Sequence, residues 1–290
     1  MKVGLIGLGV IGTRIGSRLA DAGSLDFVFN RTRSKADAFA AEHRAIVSET
    51  IQGLVSSCDI VVTVLSDDDA VLSVYTGLPE VKVRGKTFLD VSTITPTTSI
   101  AISSQLGQRG ATMLDCPLVG SASMLEKGEA TILVGGDKAE FYKVSPLLKK
   151  VAKEVLYVGP NGAGLRLKLV HNLALGSYIV ALSEAVHFGL AAGLEPAQIE
   201  KLLVSLSSIR SPNSATKVPK LLKADYSTQF SLKNIIKDLS LIETEARRQH
   251  SPTPLGSLAL QLYRLAEKRG FSEEDYVVVA ELFRNSGMTR

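Results

Sequence analysis

Residues able to do chemistry gather in a few short stretches of this chain, and the first lies almost at its start. Gly7-Leu8-Gly9-Val10-Ile11-Gly12 follows the apolar run Val3–Ile6 directly. A G-x-G-x-x-G at a strand-to-helix turn suits a dinucleotide. The first glycine makes the tight turn, the second lets backbone approach a pyrophosphate, and the third lets the helix pack close to the strand. The helix N-terminus then turns free N–H groups and a positive dipole toward the phosphates. The competing reading is a glycine-rich turn that serves packing alone.

Eighteen residues after Gly12 comes Asn30, followed by Arg31, Thr32 and Arg33. An NAD site places a carboxylate near this position to hold the ribose 2′-hydroxyl. None stands here to repel a 2′-phosphate, and Arg31 can pair with one and stack on adenine. The pattern favours NADP, with NAD as the alternative. Both arginines can also be solvated charges before a helix capped by Thr32 or Ser34.

The next stretch runs from Gly162 to Asn172 and contains Lys168. Lys168 and Asn172 are four apart and share a helical face. A lysine among apolar neighbours at a cleft loses hydration, which lowers its pKa and suits it to proton transfer near neutrality. Asn172 can hold that lysine or a substrate oxygen. Equally, a lysine on a helix can be an ordinary solvated charge.

Other reactive residue types form no site. His43, His171, His187 and His250 lack metal-binding spacing, and Cys58 and Cys116 form no CxxC pair. Asp67-Asp68-Asp69 reads as a helix cap in preference to a cation site. His187 reads as a packed or capped imidazole, Asp115 as an anchor for its loop, and Cys116 as a small buried filler with a minor contact role as the alternative.

Elements must position these residues, and their pattern is clear. Strand-like runs cover 2–6, 26–29, 60–65, 87–91, 112–115, 131–134 and 155–158. Helix-length segments at 11–22, 34–43, 96–108 and 138–150 lie between them. Such alternation predicts a mostly parallel, doubly wound sheet. From Gly164 onward only helical periodicity remains, broken by Gly193, Pro212, Pro252 and Gly270. The apolar stretch Leu169–Gly193 is long enough for a membrane span, but His171, Asn172, Glu184 and His187 would be costly in lipid. It reads as a buried helix joining the halves beside a cleft.

Across 290 residues, 45% are hydrophobic and 21% charged, which suits a globular protein of one or two domains. The net charge of +4 is dispersed, so nucleic acid binding is not indicated. Two cysteines and a start that runs straight into a strand suggest a cytoplasmic protein without a leader.

Four motifs in order now carry a resemblance: the glycine turn, Asp115-Cys-Pro-Leu-Val-Gly-Ser-Ala122, Gly162–Asn172 and the pair Lys237-Asp238. Together they resemble the β-hydroxyacid dehydrogenase family along essentially the whole chain. The resemblance implies that Lys168 is the general acid/base and that Asn172 binds substrate beside it. It implies that the loop 115–122 takes the substrate carboxylate through backbone N–H groups and a serine. It places Thr93 of the Ser92-Thr93 pair, with Leu65 and Ser66, at the cofactor, and lets Lys237 close over the site. Three positions depart from the family pattern. Its usual Pro-Val-Ser-Gly-Gly reads Pro117-Leu118-Val119-Gly120-Ser121 here, and its Asn-Asn reads His171-Asn172. Either Ser121 or Ser123 replaces the lost hydroxyl, or the pocket prefers another acid.

The expected architecture is α/β: a Rossmann-type doubly wound sheet over 1–162, joined by a long helix to an all-α domain over 163–290. The expected activity is hydride transfer between NADP and the β-hydroxyl carbon of a small 3-hydroxy acid, such as 3-hydroxyisobutyrate or L-serine. Alternatives are reduction of glyoxylate or succinic semialdehyde, imine reduction (against which the retained lysine speaks), and a non-enzymatic NADP-binding scaffold. The expected partners are the small acid and further copies of the chain, as a dimer or tetramer, with no metal, membrane or nucleic acid.

Overall fold

In a computed structural model of the protein, which describes residues 1–78 and 80–284, the contacts group into two units, Met1–Lys168 and Leu169–Arg290. The first unit is built on nine strands: β1 Val3–Ile6, β2 Phe27–Phe29, β3 Ile46–Val47, β4 Ile60–Thr63, β5 Thr87–Asp90, β6 Thr112–Asp115, β7 Leu118–Val119, β8 Thr131–Gly135 and β9 Glu154–Gly159. Six form a parallel sheet in the order β3-β2-β1-β4-β5-β6. Beyond β6 the direction reverses, because β8 pairs antiparallel with β6 and β7 and parallel with β9.

Seven helices connect these strands: α1 Val10–Asp21, α2 Arg33–His43, α3 Ile51–Ser57, α4 Asp68–Thr76, α5 Pro96–Gln108, α6 Ala122–Glu126 and α7 Lys138–Leu148. The strands are apolar on both faces, as buried parallel strands require. Val3, Leu5, Ile60, Val62 and Leu89 pack with Ile15 and Leu19 of α1, Phe39 of α2 and Val144 of α7. Their neighbours in sequence, Ile6, Val61 and Phe88, turn to the other face and pack with Leu54 of α3, Val71 of α4 and Ile102 of α5. That period-two split winds helices over both sides of the sheet. Each such burial contributes roughly 1.5–3 kcal/mol.

The next helix, α8 Ala163–Ala191, crosses from the first unit into the second. The division falls after Lys168, inside α8, whereas the composition changes at 162–163. The opening turn of α8 belongs with the sheet because it hydrogen-bonds back to β6. The remaining helices of the second unit are α9 Pro196–Lys201, which runs on into a π-helical turn over Leu202–Leu206, then α10 Pro212–Lys223, α11 Leu232–Arg248 and α12 Pro254–Lys268, followed by a 3-10 turn over Tyr276–Leu282. Among its described residues this unit has no strand, only an isolated bridge between Ser231 and Asp275.

By length and composition α8 is apolar enough to cross a membrane. In the second unit its residues Ile179, Leu182 and Val186 are buried in a core shared with Leu221, Leu239 and Tyr263. Gly176 lets Ile235 and Leu239 of α11 approach α8 closely, and the Tyr263 hydroxyl donates to the Gly176 carbonyl at 2.9 Å.

Candidate functional site

Ile6, Phe29, Thr63, Asp90 and Asp115 stand in one register row across β2, β1, β4, β5 and β6. The ladder continues one residue further. Gly7 N–H donates to Phe29 O at 2.9 Å, Val64 N–H to Ile6 O at 2.9 Å, Val91 N–H to Thr63 O at 2.8 Å, and Cys116 N–H to Asp90 O at 2.7 Å. Past this line the chain leaves the sheet after β1, β2, β4 and β5 at their carboxyl ends, while after β6 it runs on into β7 alongside β8. The strand order reverses between β1 and β4, where doubly wound sheets open a crevice for ligands.

The glycines of the first turn differ in what they permit. Gly7 has φ +100°, and a Cβ there would run into the Val64 carbonyl. A Cβ on Gly12 would run into the Gly7 carbonyl, so the start of α1 can sit against the turn only without one. A Cβ on Gly9 would meet nothing within 4 Å. Gly9 is the N-cap of α1, with no side-chain cap bond and no acidic residue in the first turn. The leading N–H groups at Val10, Ile11 and Gly12 therefore have no capping side chain, and Gly9 leaves room in front of them. That donor set fits a phosphate. Leu8 N–H donates to Asn30 Oδ1 at 2.9 Å and Asn30 Nδ2 donates to Thr32 O at 2.9 Å, so Asn30 ties the turn to the end of β2.

The two arginines after Asn30 separate. Arg33 Nε binds Asp37 Oδ1 and its NH1 binds Glu49 Oε2, both at 2.7 Å. Arg31 is exposed and makes no ion pair among the described residues. Thr32 is the N-cap of α2 without a side-chain cap bond.

On the other side of β1, Leu65 N–H donates to Ser92 Oγ at 2.9 Å. Ser92 Oγ donates to Asp90 Oδ1 at 2.6 Å, and Thr63 Oγ1 donates to the same oxygen at 2.8 Å. Asp90 is fully buried with Oδ2 unpartnered, and burial pushes its carboxyl up to about 6. Leu65 and Thr93, both half-buried, and the exposed Ser66 are thereby held at the ends of β4 and β5. Asp67 caps α4 by accepting Ala70 N–H at 2.8 Å, and Asp68 accepts from Thr95 Oγ1 at 2.6 Å. Two of the three aspartates are spent on those ties while Asp69 lies exposed in the first turn of α4, and no metal-holding cluster occurs among the described residues.

Beyond β6, Val119 is paired with Thr131 in the short β7–β8 ladder. Gly120 has φ +140°, which favours glycine, and Ser121 caps α6 by accepting Met124 N–H at 3.2 Å. The Ser121 proton is left to donate elsewhere. Arg14 of α1 binds Glu126 of α6 at 2.7 Å, so α1 and α6 are tied together. Asp115 is buried, with Oδ1 accepting Gly162 N–H at 2.7 Å and Oδ2 accepting Leu165 N–H at 2.9 Å. Lys168, half-buried, follows one turn later on α8.

Within the second unit Asn172 is buried, and its Nδ2 donates to Asp238 Oδ2 at 2.6 Å. Lys237 Nζ lies 3.1 Å from Asp238 Oδ1, an ion-pair distance without hydrogen-bond alignment. His187 is buried with Nδ1 on the Ser183 carbonyl at 2.9 Å.

Family models match nearly the whole chain. One, the NAD binding domain of 6-phosphogluconate dehydrogenase, covers residues 2–159. The other, described as NAD-binding of NADP-dependent 3-hydroxyisobutyrate dehydrogenase, covers 162–283. Chloroplastic glyoxylate/succinic semialdehyde reductase 2 of Arabidopsis thaliana is 31% identical over 98% of this chain and 80% of its own length. NAD-dependent L-serine dehydrogenase of Pseudomonas aeruginosa is 32% identical over 97% of each. The chain belongs to the β-hydroxyacid dehydrogenase family. As a β-hydroxyacid dehydrogenase it is an NAD(P)-dependent oxidoreductase. A solved structure of Psf3 with NADP+ and 2-OPP is similar to it at a TM-score of 0.87 and 27% identity, over 97% of this chain and all of that one.

Two polar residues of this β-hydroxyacid dehydrogenase escape sequence reading. Asp238 faces Asn172 across 66 positions, and only its place beside Lys237 in a family motif hinted at it. Asp90 leaves no sequence signal, since an aspartate at a strand end is unremarked until its partners Thr63 and Ser92 are known.

Proposed function

We propose that the enzyme is an NADP-preferring dehydrogenase of a small 3-hydroxy acid, such as 3-hydroxyisobutyrate or L-serine, with Lys168 as its general acid/base. One observation carries this reading. The row of strand ends delivers the glycine turn, Arg31, Thr93 and the 119–121 loop to a single edge of the sheet, and Asp115 fastens the helix bearing Lys168 to that edge.

In this reading Gly7–Gly12 hold the pyrophosphate, Asn30, Arg31 and Thr32 hold the adenosine ribose and its 2′-phosphate, and Leu65, Ser66 and Thr93 line the rest of the cofactor. Bound nicotinamide supplies the hydride acceptor or donor. Val119, Gly120 and Ser121 receive the substrate carboxylate through backbone N–H groups and the free Ser121 proton. Lys168 takes the hydroxyl proton on oxidation and returns it on reduction. Asn172, kept in place by Asp238, orients the substrate oxygen, and Lys237 covers the site. The similarity to a glyoxylate/succinic semialdehyde reductase favours the reductive direction with an aldehyde acid as a second reading of the same machinery. The working form is a homo-oligomer of two or four chains.

A panel of 3-hydroxy acids and aldehyde acids, assayed with NADP and NAD in both directions, tests the substrate class. Lys168→Ala should lose on the order of 10²–10⁴-fold in kcat, the usual worth of general acid/base catalysis. NADPH affinity, measured by fluorescence titration, should stay unchanged. Near-normal turnover in that variant would rule out Lys168 as the acid/base.

A further inference from the structure

The substrate loop and the lysine-bearing helix arrive from distant parts of the chain, and one carboxylate joins them. Asp115 closes β6, and Cys116 opens the substrate loop directly after it. The two N–H groups that bind its carboxylate, Gly162 at 2.7 Å and Leu165 at 2.9 Å, are those at the cap and third position of α8. Glycines make the space. A Cβ at Gly135 would stand 2.5 Å from Oδ1, one at Gly164 would stand 2.8 Å from Oδ2, and Gly162 has φ +87°.

Capping alone does not explain this arrangement. A serine or asparagine at position 162 would reach only the Leu165 amide and would leave the N–H of residue 162 itself unmet. Burial pushes the Asp115 carboxyl above its ordinary value even though the backbone N–H bonds oppose that rise. A residue 47 positions from Gly162 does what a local cap cannot: it fixes the opening of α8 against the root of the substrate loop. Lys168 stands three residues, one helical turn, beyond Leu165.

We propose that Asp115 is a positioning residue of the reaction, setting where the Lys168 amine stands relative to the substrate loop. The proposal rests on Lys168 being the acid/base, and it concerns the first unit alone.

The test compares the full-length enzyme with Asp115→Asn, Gly164→Ala, Lys168→Ala and the double variant Asp115→Asn/Lys168→Ala. Asparagine keeps one acceptor but turns a donor toward one of the two amides. Alanine at 164 keeps the charge and pushes on Oδ2 and on the Leu133 carbonyl beside it. The measurements are kcat and KM on the best acid of the panel, NADPH affinity, melting temperature, and the pH dependence of Lys168 acetylation by acetic anhydride, followed by mass spectrometry. The last needs no substrate. Asp115→Asn should lower kcat on the order of 10²-fold, the effect of a small misplacement of a reacting group, with KM and NADPH affinity little changed. It should displace the Lys168 acetylation profile and leave alone that of Lys143, which pairs with Glu140 near the start of β5, at the other end of the strands from Asp115. Gly164→Ala should act in the same direction, less strongly. In the Lys168→Ala background, Asp115→Asn should cost no further turnover, although melting temperature falls in both backgrounds.

The proposal is overturned if Asp115→Asn leaves kcat and Lys168 acetylation unchanged, or lowers kcat equally with and without Lys168. Should Asp115→Asn fail to fold, Gly164→Ala decides by the same readouts. Should Lys168→Ala retain turnover, the acid/base reading fails, and acetylation alone still reports whether Asp115 places the lysine.

Discussion

Arg31 and Arg33 stand two positions apart after β2, and their surroundings separate them. The guanidinium of Arg33 is held by Asp37 and Glu49, and those carboxylates raise its pKa further. A guanidinium neutralised by two carboxylates attracts a phosphate poorly, whereas Arg31 keeps its full charge for one. Arg31→Ala is therefore expected to raise KM for NADP about tenfold or more, the loss of one charge-assisted contact at ~1.5–3 kcal/mol, with KM for NAD little changed. Arg33→Ala should leave the ratio of the two cofactors nearly as it was. Steady-state kinetics with both cofactors checks the pair, and equal effects from the two variants would contradict the assignment. Sequence alone cannot tell these arginines apart, because the distinction depends on Glu49, which arrives at the end of β3 sixteen residues away. Asn30 was legible as the absence of a carboxylate, while its bonds to Leu8 and Thr32 were not.

Among the elements, the seven strands longer than two residues were legible because each carries its own apolar run and turn signals. The others, β3 and β7, have two residues apiece, too few for any periodicity, and exist through pairing with β2 and β8. Polar ties between strand ends were hidden too, and the one at Asp90 has a measurable consequence. Its carboxyl titrates at about 6 when folded against an ordinary 3.8, because burial penalises the ionised form. The folded state therefore binds more protons than the unfolded chain between those values, so this group's contribution weakens as pH rises from 4 toward 7. Keeping the carboxylate ionised costs the fold roughly 3 kcal/mol at neutral pH. Asp90→Asn keeps an acceptor for Thr63 and Ser92 and removes the charge. Its melting temperature relative to wild type should rise between pH 4 and 7 in calorimetry and level off above that. A difference independent of pH would show that Asp90 is not the titrating group.

For the whole molecule, the change from strand–helix alternation to pure helix was readable, since the two halves differ in period. Which residues of the second half carry its exposed apolar surface was not. Along α12, Leu255, Leu258 and Leu265 are exposed on one helical side, and Phe188 near the end of α8 is 76% exposed. Apolar side chains grouped this way on a soluble protein usually meet another surface. If that surface is a second copy, light scattering during gel filtration should give two or four times the chain mass. The pair Leu255→Glu and Leu258→Glu should shift the profile toward one. A single-chain mass for wild type at assay concentrations would contradict the homo-oligomer.

The salt bridge between Arg14 and Glu126 also bears on redesign of this enzyme. On the proposed assignment the segment that receives the substrate carboxylate, Val119–Ser121, sits where β7 pairs antiparallel with β8 beside the parallel strands, so Leu118–Leu125 can be exchanged as a cassette. Glu126 is where such a graft must stop. A transplanted segment that replaces it would lose the Arg14 pair and leave only the Arg18 bond to the backbone carbonyl of residue 126 between the new loop and α1, and libraries drawn one residue shorter should recover more active hybrids.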